Sequence, residues 1–147
     1  MLIEEVLYQA PGVELAAAVG QPDRRVGEMP VAFVQMRAGK AFDEAAIKSF
    51  VRERIQERAA NPAAIHQMSE LPLTQVGKIF KPALRWEAAR LVLQRELSAI
   101  AKDAAVVSVA THGTLATITV AGGTDELTDT LREAVGGYPL HCEFVRV

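Results

Sequence analysis

The stretch PLTQVGKI, residues 72–79, places one lysine between two structural elements. Pro72 ends the element before it, because its ring fixes φ and removes the N–H donor. Gly77 permits a backbone conformation that a β-carbon would hinder. The stretch therefore predicts a short, shaped loop that presents Lys78, although an ordinary solvated lysine is an alternative interpretation. It is not a phosphate-binding P-loop, because Pro72 replaces the first glycine and Ile79 replaces the hydroxyl residue of that pattern.

Length and composition limit the classes of protein to consider. The 147 residues predict one domain or two small ones, and half of them are apolar, which is enough for a core. The formal net charge of −2 argues against nucleic-acid binding. No apolar run is long enough to span a membrane, and no signal peptide opens the chain. Cys142 is the single cysteine and forms no internal disulfide, so a reducing cytoplasm is the expected location.

The pattern up to residue 80 predicts an α+β domain, a small sheet flanked by helices. Asp43 is a suitable N-cap for a helix that extends to Arg58 and is ended by Asn61-Pro62. The polar residues 21–28 predict a loop between two strands. The other predicted elements are a helix near residues 3–7 and strands at 13–20, 30–36 and 64–68, the first of them buried on both faces.

The remainder predicts the order helix, strand, strand, helix, strand, as in a small ferredoxin-like α/β sandwich. Pro82 fits the first turn of a long helix, and His112-Gly113 joins two β-branched runs in a hairpin. Thr124 opens the second helix, and Gly136-Gly137 closes it. The predicted division has three parts: a domain at residues 1–80, a connecting helix at 81–102, and a β-β-α-β extension at 103–147 that packs with this helix.

The sequence contains no pairing of a nucleophile with a base, and we expect no metal site. The histidines lack metal-ligand spacing with Cys142; they are His66, His112 and His141. Cys142 lies in an apolar strand pattern, which favours a buried and unreactive thiol. Trp86 is the only tryptophan, and we interpret it as a packing residue.

Several spaced motifs resemble the C-terminal domain of the adenylate-forming enzymes, the superfamily that includes the acyl-CoA synthetases. The segment ELPLTQVGKI, residues 70–79, followed by Lys81 and Leu84-Arg85, resembles the last signature of that superfamily. Earlier motifs follow in the order of the family: IEEVL at 3–7, AAAVG at 16–20, Pro22-Asp23, Gly27-Glu28 and PVAFV at 30–34. The resemblance covers roughly residues 3–95.

The resemblance implies an acyl-CoA synthetase, which activates a fatty acid or related carboxylic acid with ATP and transfers it to CoA. Lys78 is then the catalytic lysine, whose ammonium bridges the α-phosphate and the attacking carboxylate while the acyl-adenylate forms. Pro72, Thr74 and Gly77 position its loop. Lys81 is expected to be dispensable in both half-reactions.

The resemblance also implies a partner, the N-terminal adenylation domain of the same polypeptide. That domain would bind ATP with Mg and the acyl group, and CoA would be the co-substrate. The hinge and a glycine-containing loop of the family would lie upstream of Met1, so the chain alone is expected to be inactive. The family often has basic residues before its third strand, whereas residues 59–64 read AANPAA, so no phosphate contact is expected there.

Arg52 is the candidate for binding the CoA nucleotide, because some CoA ligases of the family place an arginine near the 3′-phosphate. The guanidinium fork suits phosphate. Arg54 competes for this role, since the alignment needs a gap of one residue.

The extension at residues 103–147 has two interpretations. It either extends the core or acts as a regulatory or protein-interaction module of a multidomain enzyme. The predicted fold cannot decide between these interpretations, because fold does not imply function. Deletion from about residue 101 onward would distinguish them, with kinetics, oligomeric state and stability as the measurements.

Overall fold

The structure is a computed structural model that describes residues 2–147. It confirms the predicted α+β class, with two three-stranded sheets flanked by helices. The elements, in chain order, are α1 (Leu2–Gln9), β1 (Val13–Asp23), β2 (Gly27–Met36), α2 (Glu44–Arg54), a 3₁₀ turn (Arg58–Ala60), β3 (Ile65–Gln67), α3 (Lys81–Ala101), β4 (Ala105–His112), β5 (Leu115–Gly122), α4 (Asp125–Val135) and β6 (His141–Arg146). No helix in this described range is long and apolar enough to cross a membrane.

The chain forms two compact units, the first comprising Met1–Gly20 and Met29–Leu84. Its sheet has the order β1-β2-β3, and β3 runs parallel to the central strand β2. Residues Val31–Val34 of β2 are completely buried, as expected for a central strand covered on both faces. Residues 16–19 of β1 are also buried, which confirms the prediction of burial on both faces for the centre of this strand, whereas Glu14 near its start is exposed.

The predicted loop at residues 21–28 is too long, because both strands continue into it. β1 extends to Asp23 and β2 begins at Gly27. Pro22 is compatible with a strand here, since β1 is at the edge of the sheet and needs no outward N–H. The Asp23 carboxylate then closes the turn by accepting hydrogen bonds from the N–H groups of Arg25, at 3.0 Å, and Val26, at 2.8 Å.

Helix α2 begins as predicted and ends earlier than predicted. The Asp43 side chain accepts a hydrogen bond from the N–H of Ala46 at 3.1 Å, so it is the N-cap. The helix ends at Arg54, because Ile55 adopts an extended conformation and is buried. Asn61 does not end the helix; its amide donates to the carbonyls of Ile55 and Glu57, which lie beyond the last helical turn.

The second unit comprises Gln21–Glu28 and Arg85–Val147. Its sheet has the order β4-β5-β6, with β4 antiparallel and β6 parallel to β5. The predicted element order is therefore confirmed. The ferredoxin-like comparison applies only in part, since this sheet has three strands and β6 pairs directly with β5 across the α4 crossover.

Both predicted ends of α4 are confirmed in position, since the helix begins after Thr124 and ends at Val135 with Gly136 as its C-cap. Thr124 is the N-cap, and its hydroxyl accepts from the N–H of Leu127 at 3.1 Å. Gly136 has a right-handed conformation, with φ −63°, so it does not end the helix in the left-handed way that favours glycine.

The outer edge of β4 is covered by one side chain of α3. The Gln94 amide donates to the carbonyl of Val107 at 2.7 Å and accepts from the N–H of Val109 at 3.0 Å. These are the bonds that a neighbouring strand would make, so Gln94 occupies an edge that could otherwise pair with another chain.

Arg24, at the tip of the β1–β2 hairpin, belongs to a polar network in the second unit. Its guanidinium pairs with Glu96 at 3.2 Å, donates to the carbonyl of Ala134, and lies 5.6 Å from the centre of the Tyr138 ring. The Tyr138 hydroxyl donates to Glu96. Burial, together with this hydrogen bond and the negative charge of Glu96, raises the pKa of Tyr138 from 10.0 to about 12.

This shift predicts a pH-dependent contribution to stability. Because the pKa of Tyr138 is higher in the folded state, its contribution is complete below pH 10 and is lost as the pH rises toward about 12. We expect the free energy of unfolding to fall less steeply across that range in Tyr138→Phe than in the unmodified chain. Denaturant unfolding at several alkaline pH values, with phenolate absorbance as a second measurement, checks this, and identical slopes in the two proteins would contradict it.

Candidate functional site

The predicted lysine loop is a small β-hairpin. Leu73 and Ile79 form an antiparallel bridge, and the N–H of Phe80 donates to the carbonyl of Pro72 at 2.8 Å. Nearer the tip, the N–H of Thr74 donates to the carbonyl of Lys78 at 2.7 Å. The loop therefore supplies its own backbone hydrogen bonds and holds its shape while it is exposed.

Gly77 and Thr74 determine the conformation of the tip. The N–H of Gly77 donates to the carbonyl of Thr74 at 3.0 Å, which closes a β-turn. Gly77 then adopts φ +83°, the left-handed region that turns the chain into Lys78. The Thr74 hydroxyl accepts from the N–H of Lys78 at 3.2 Å. The structure thus brings Pro72, Thr74 and Gly77 together around the predicted lysine.

The Lys78 side chain is exposed, and no carboxylate of residues 2–147 lies within ion-pair distance of its ammonium. Two other lysines differ in this respect, since Lys48 pairs with Glu44 and Lys81 pairs with Glu4. The charge of Lys78 is consequently available to an external anion.

Two side chains that sequence reasoning missed fix the ends of the loop. Gln35 accepts from the N–H of Leu71 at 2.8 Å and donates to Glu14 at 2.8 Å. At the other end, Glu4 accepts from Lys81 at 2.9 Å and, through its second oxygen, from the N–H of Ala18 at 3.2 Å. Gln35 could have been recognised from the sequence, because a polar residue near the end of the buried strand β2 needs hydrogen-bond partners.

Lys81 is therefore tied to Glu4 at the start of α3, where the loop ends. Its replacement would remove the partner of a largely buried carboxylate, which is costlier than losing a surface lysine. Lys40, an exposed loop lysine with no ion pair to residues 2–147, is a better control for Lys78.

Arg52 and Arg54 are both exposed on α2, but their surroundings differ. The Arg54 guanidinium lies 3.5 Å from the centre of the Phe50 ring, donates to the Phe50 carbonyl, and contacts Glu53 at 3.5 Å. Arg52 has no ion pair with any residue in the described range 2–147. Arg52 can thus bind a phosphate without first breaking an internal contact.

The two histidines His66 and His112, together with Trp86 and Cys142, have packing contacts or partial burial and not the features of a reactive site. The ring of His66 lies 5.1 Å from that of Phe33, and the ring of Trp86 lies 4.2 Å from that of His112, which fits a packing role for the tryptophan. Cys142 is half-buried, and burial raises the pKa of its thiol, which disfavours the reactive thiolate. Within residues 2–147 no group of three His, Cys, Asp or Glu side chains is placed to bind a metal ion.

Comparison with known proteins gives this loop a context. Residues 2–78, just over half of the chain, match the AMP-binding enzyme C-terminal domain family. The chain belongs to that family. The matched segment includes the whole hairpin tip and ends at Lys78.

Similar proteins are CoA ligases. The marinolic acid–CoA ligase of Pseudoalteromonas sp. (strain SANK 73390) is 41% identical over 85 residues, which are 58% of this chain and 13% of that protein. The acetyl-coenzyme A synthetase of Deinococcus radiodurans is 39% identical over 100 residues, 68% of this chain and 15% of that protein. The crystal structure of the anthranilate CoA ligase AuaEII with anthranoyl-AMP matches with a TM-score of 0.56 and 30% identity, over 62% of this chain and 18% of that one. The chain therefore spans less than a fifth of each relative.

The backbone of Gly77 yields a prediction about the loop. A β-carbon there would meet no atom within 4 Å, so Gly77→Ala adds strain only through φ +83°, at about 1–2 kcal/mol. Gly77→Asn should cost less, because asparagine tolerates this region. Gly136→Ala, at φ −63°, is the matched control and should be neutral or slightly stabilising. Denaturant unfolding checks the series, and equal losses at both glycines would contradict it.

Proposed function

We propose that this chain is the C-terminal domain of an ATP-dependent acyl-CoA synthetase, with residues 1–80 as its lid domain and Lys78 as its adenylation lysine. The observation that carries the proposal is an exposed ammonium, unpaired within residues 2–147, on a hairpin whose tip is shaped by Gly77. Family membership and the CoA ligases among the similar proteins support it.

In the first half-reaction, a carboxylate oxygen of the acid attacks the α-phosphorus of ATP. The new oxygen–phosphorus bond gives the acyl-adenylate, and the bond to the β-phosphate breaks with its electron pair, which leaves as pyrophosphate. Negative charge is concentrated on the attacking and α-phosphate oxygens in the transition state. The Lys78 ammonium would lie between them, and one oriented donor of this kind contributes about 3–4 kcal/mol.

In the second half-reaction, the CoA thiol attacks the acyl carbonyl and AMP leaves. The carbon–sulfur bond forms as the carbon–oxygen bond to AMP breaks, AMP leaves with that electron pair, and the thiol proton is lost. The new negative charge lies on the carbonyl oxygen and no oxygen attacks the α-phosphorus, so the role proposed for Lys78 has ended and the lid can rotate to present another surface. Arg52 is our proposed contact to a phosphate of CoA, because its guanidinium is exposed and Arg54 already contacts Phe50 and Glu53.

The reaction requires groups that this chain does not supply. We propose that an N-terminal adenylation domain of the same polypeptide binds ATP and the acid. Mg²⁺ prefers several oxygen ligands, and residues 2–147 offer no suitable cluster, so we propose that the N-terminal domain would hold the ion together with ATP. The chain alone should give no ATP–pyrophosphate exchange with short, medium or long fatty acids.

The role of Lys78 can be tested by separating the half-reactions in the intact ligase. Lys78→Ala should slow adenylation by roughly 10²- to 10³-fold, because it removes a transition-state contact. Transfer from pre-formed acyl-adenylate to CoA should stay within a few-fold of normal. Single-turnover kinetics of each step provide the measurement.

The matched control is Lys40→Ala, which removes an exposed lysine elsewhere and should leave both steps unchanged. The melting temperature should hardly change in either variant, since both side chains are exposed. Equal losses in the two half-reactions of Lys78→Ala would indicate a damaged domain and would refute a catalytic role.

Arg52 has its own matched pair. In the intact ligase, Arg52→Ala should raise the apparent KM for CoA several-fold and leave adenylation unchanged, because a CoA contact acts after the adenylate has formed. Arg54→Ala should leave the KM for CoA near normal. Steady-state kinetics with CoA as the varied substrate provide the measurement, and an unchanged KM for CoA in Arg52→Ala would rule the assignment out.

As a second and separate proposal, we infer that the extension at residues 103–147 acts as a regulatory or interaction module. The observation in its favour is that the second unit has a hydrophobic cluster of its own, centred on Leu97, Ile118 and Leu131. The truncation from about residue 101 described above is its test, with kinetics and oligomeric state as readouts.

A further inference from the structure

The sheet of the second unit has one covered edge and one open edge. At the β4 edge, the Gln94 amide already bonds the carbonyl of Val107 and the N–H of Val109. Strand β6 forms the opposite edge, and within residues 2–147 no strand pairs with its outer side. An open edge strand is a template for another strand. This sheet can therefore accept a strand beside β6, whereas the β4 edge is closed to one.

The backbone of β6 determines which groups an added strand would meet. The N–H of His141 donates to the carbonyl of Thr114 at 2.8 Å, and the parallel register continues from there, so the odd-numbered residues of β6 bond to β5. The backbone groups of the residues between them point to the open side, because bonding direction alternates along a strand. These residues are Cys142, Phe144 and Arg146.

We propose that β6 pairs antiparallel with β6 of a second copy, with Phe144 opposite Phe144, so that two three-stranded sheets join into one. Cys142 then lies opposite Arg146, and each of the outward-facing residues enters a hydrogen-bonded pair. The contact is symmetric, because the same strand is used by both copies. This inference rests on the second proposal above, the interaction module, and names its partner.

The side-chain charges fit this register. Glu143 lies opposite Val145 of the other copy, so its carboxylate does not face a like charge directly across the strands. A shift that placed Glu143 opposite Glu143 would bring two carboxylates together. The two arginines close to this edge are already paired with carboxylates: Arg132 with Asp129 at 3.6 Å, and Arg146 with Asp125. The open edge therefore brings no unpaired arginine to the contact.

The covered β4 edge favours a dimer over a longer assembly. Pairing through β6 uses the open edge of each copy once, and the edges that remain are the β4 edges, which Gln94 occupies. A filament would need a second open edge on each sheet. An extended segment of a different protein would bind the same backbone groups, and in that case the chain by itself would stay monomeric.

The test is sedimentation velocity of the full 147-residue chain over a range of concentrations, in which we expect a reversible dimer. Val145→Glu places a carboxylate opposite Glu143 twice in each dimer, so the dissociation constant should rise roughly five- to twentyfold. Val145→Lys places an ammonium opposite the same carboxylate and should keep or tighten the dimer. Val145 is 45% exposed, so the melting temperatures of both variants should remain near that of the unmodified chain.

Val106→Glu is the matched control, because it puts the same carboxylate on β4, at a position that is 71% exposed. It should leave the dissociation constant unchanged. A chain that is still monomeric at about 0.1 mM would overturn the strand pairing. Equal weakening by Val145→Glu and Val145→Lys, or by Val145→Glu and Val106→Glu, would also overturn it.

Truncation from about residue 101 separates this inference from the proposal on which it rests. If the truncation alters the kinetics of the intact ligase while the 147-residue chain is monomeric, the module stands and the strand pairing is wrong. If the truncation alters neither kinetics nor oligomeric state, the module proposal fails and the β6 contact fails with it. The role of Lys78 is independent of both outcomes.

Discussion

The lysine hairpin depends on the carboxylate of Glu4. One of its oxygens accepts from Lys81 at the end of the hairpin, and the other accepts from the N–H of Ala18 in β1. A single side chain of α1 thereby connects three elements of the first unit. The carboxylate is largely buried, with 17% of the side chain exposed, so it is stable in this position only because both oxygens have donors. Gln35 performs the corresponding task at the other end, through Leu71.

Between these two anchors, the hairpin needs no support from the rest of the protein. Thr74 makes three of its internal hydrogen bonds, through its N–H, its carbonyl and its hydroxyl. Gly77 supplies the one conformation that other residues adopt at a cost. These internal hydrogen bonds, together with the two anchors, hold Lys78 in one geometry relative to the rest of the first unit.

Local sequence signals predicted much of this fold. Asp43 and Thr124 were recognisable as caps because their side-chain oxygens lie one turn before an apolar stripe. The loop residues and the order of the elements followed from glycine, proline and periodicity. The failures involve contacts between residues distant in sequence. The end of α2 is decided by Ile55 entering the core, and Glu4 and Gln94 find backbone partners that periodicity does not reveal.

The same distinction explains why the site could be predicted only in part. Lys78 lies in a motif whose residues act on one another within a few positions, so the sequence alone indicates a shaped loop. Family membership supports the chemistry that we propose for it. What fixes the position of the loop is a set of long-range bonds, from residues 4 and 35 to residues 81 and 71, between side chains and groups far apart in the chain. Placing Lys78 where it could meet an external anion therefore takes two kinds of contact: a local turn that orients the lysine, and distant polar anchors that decide where the turn is held.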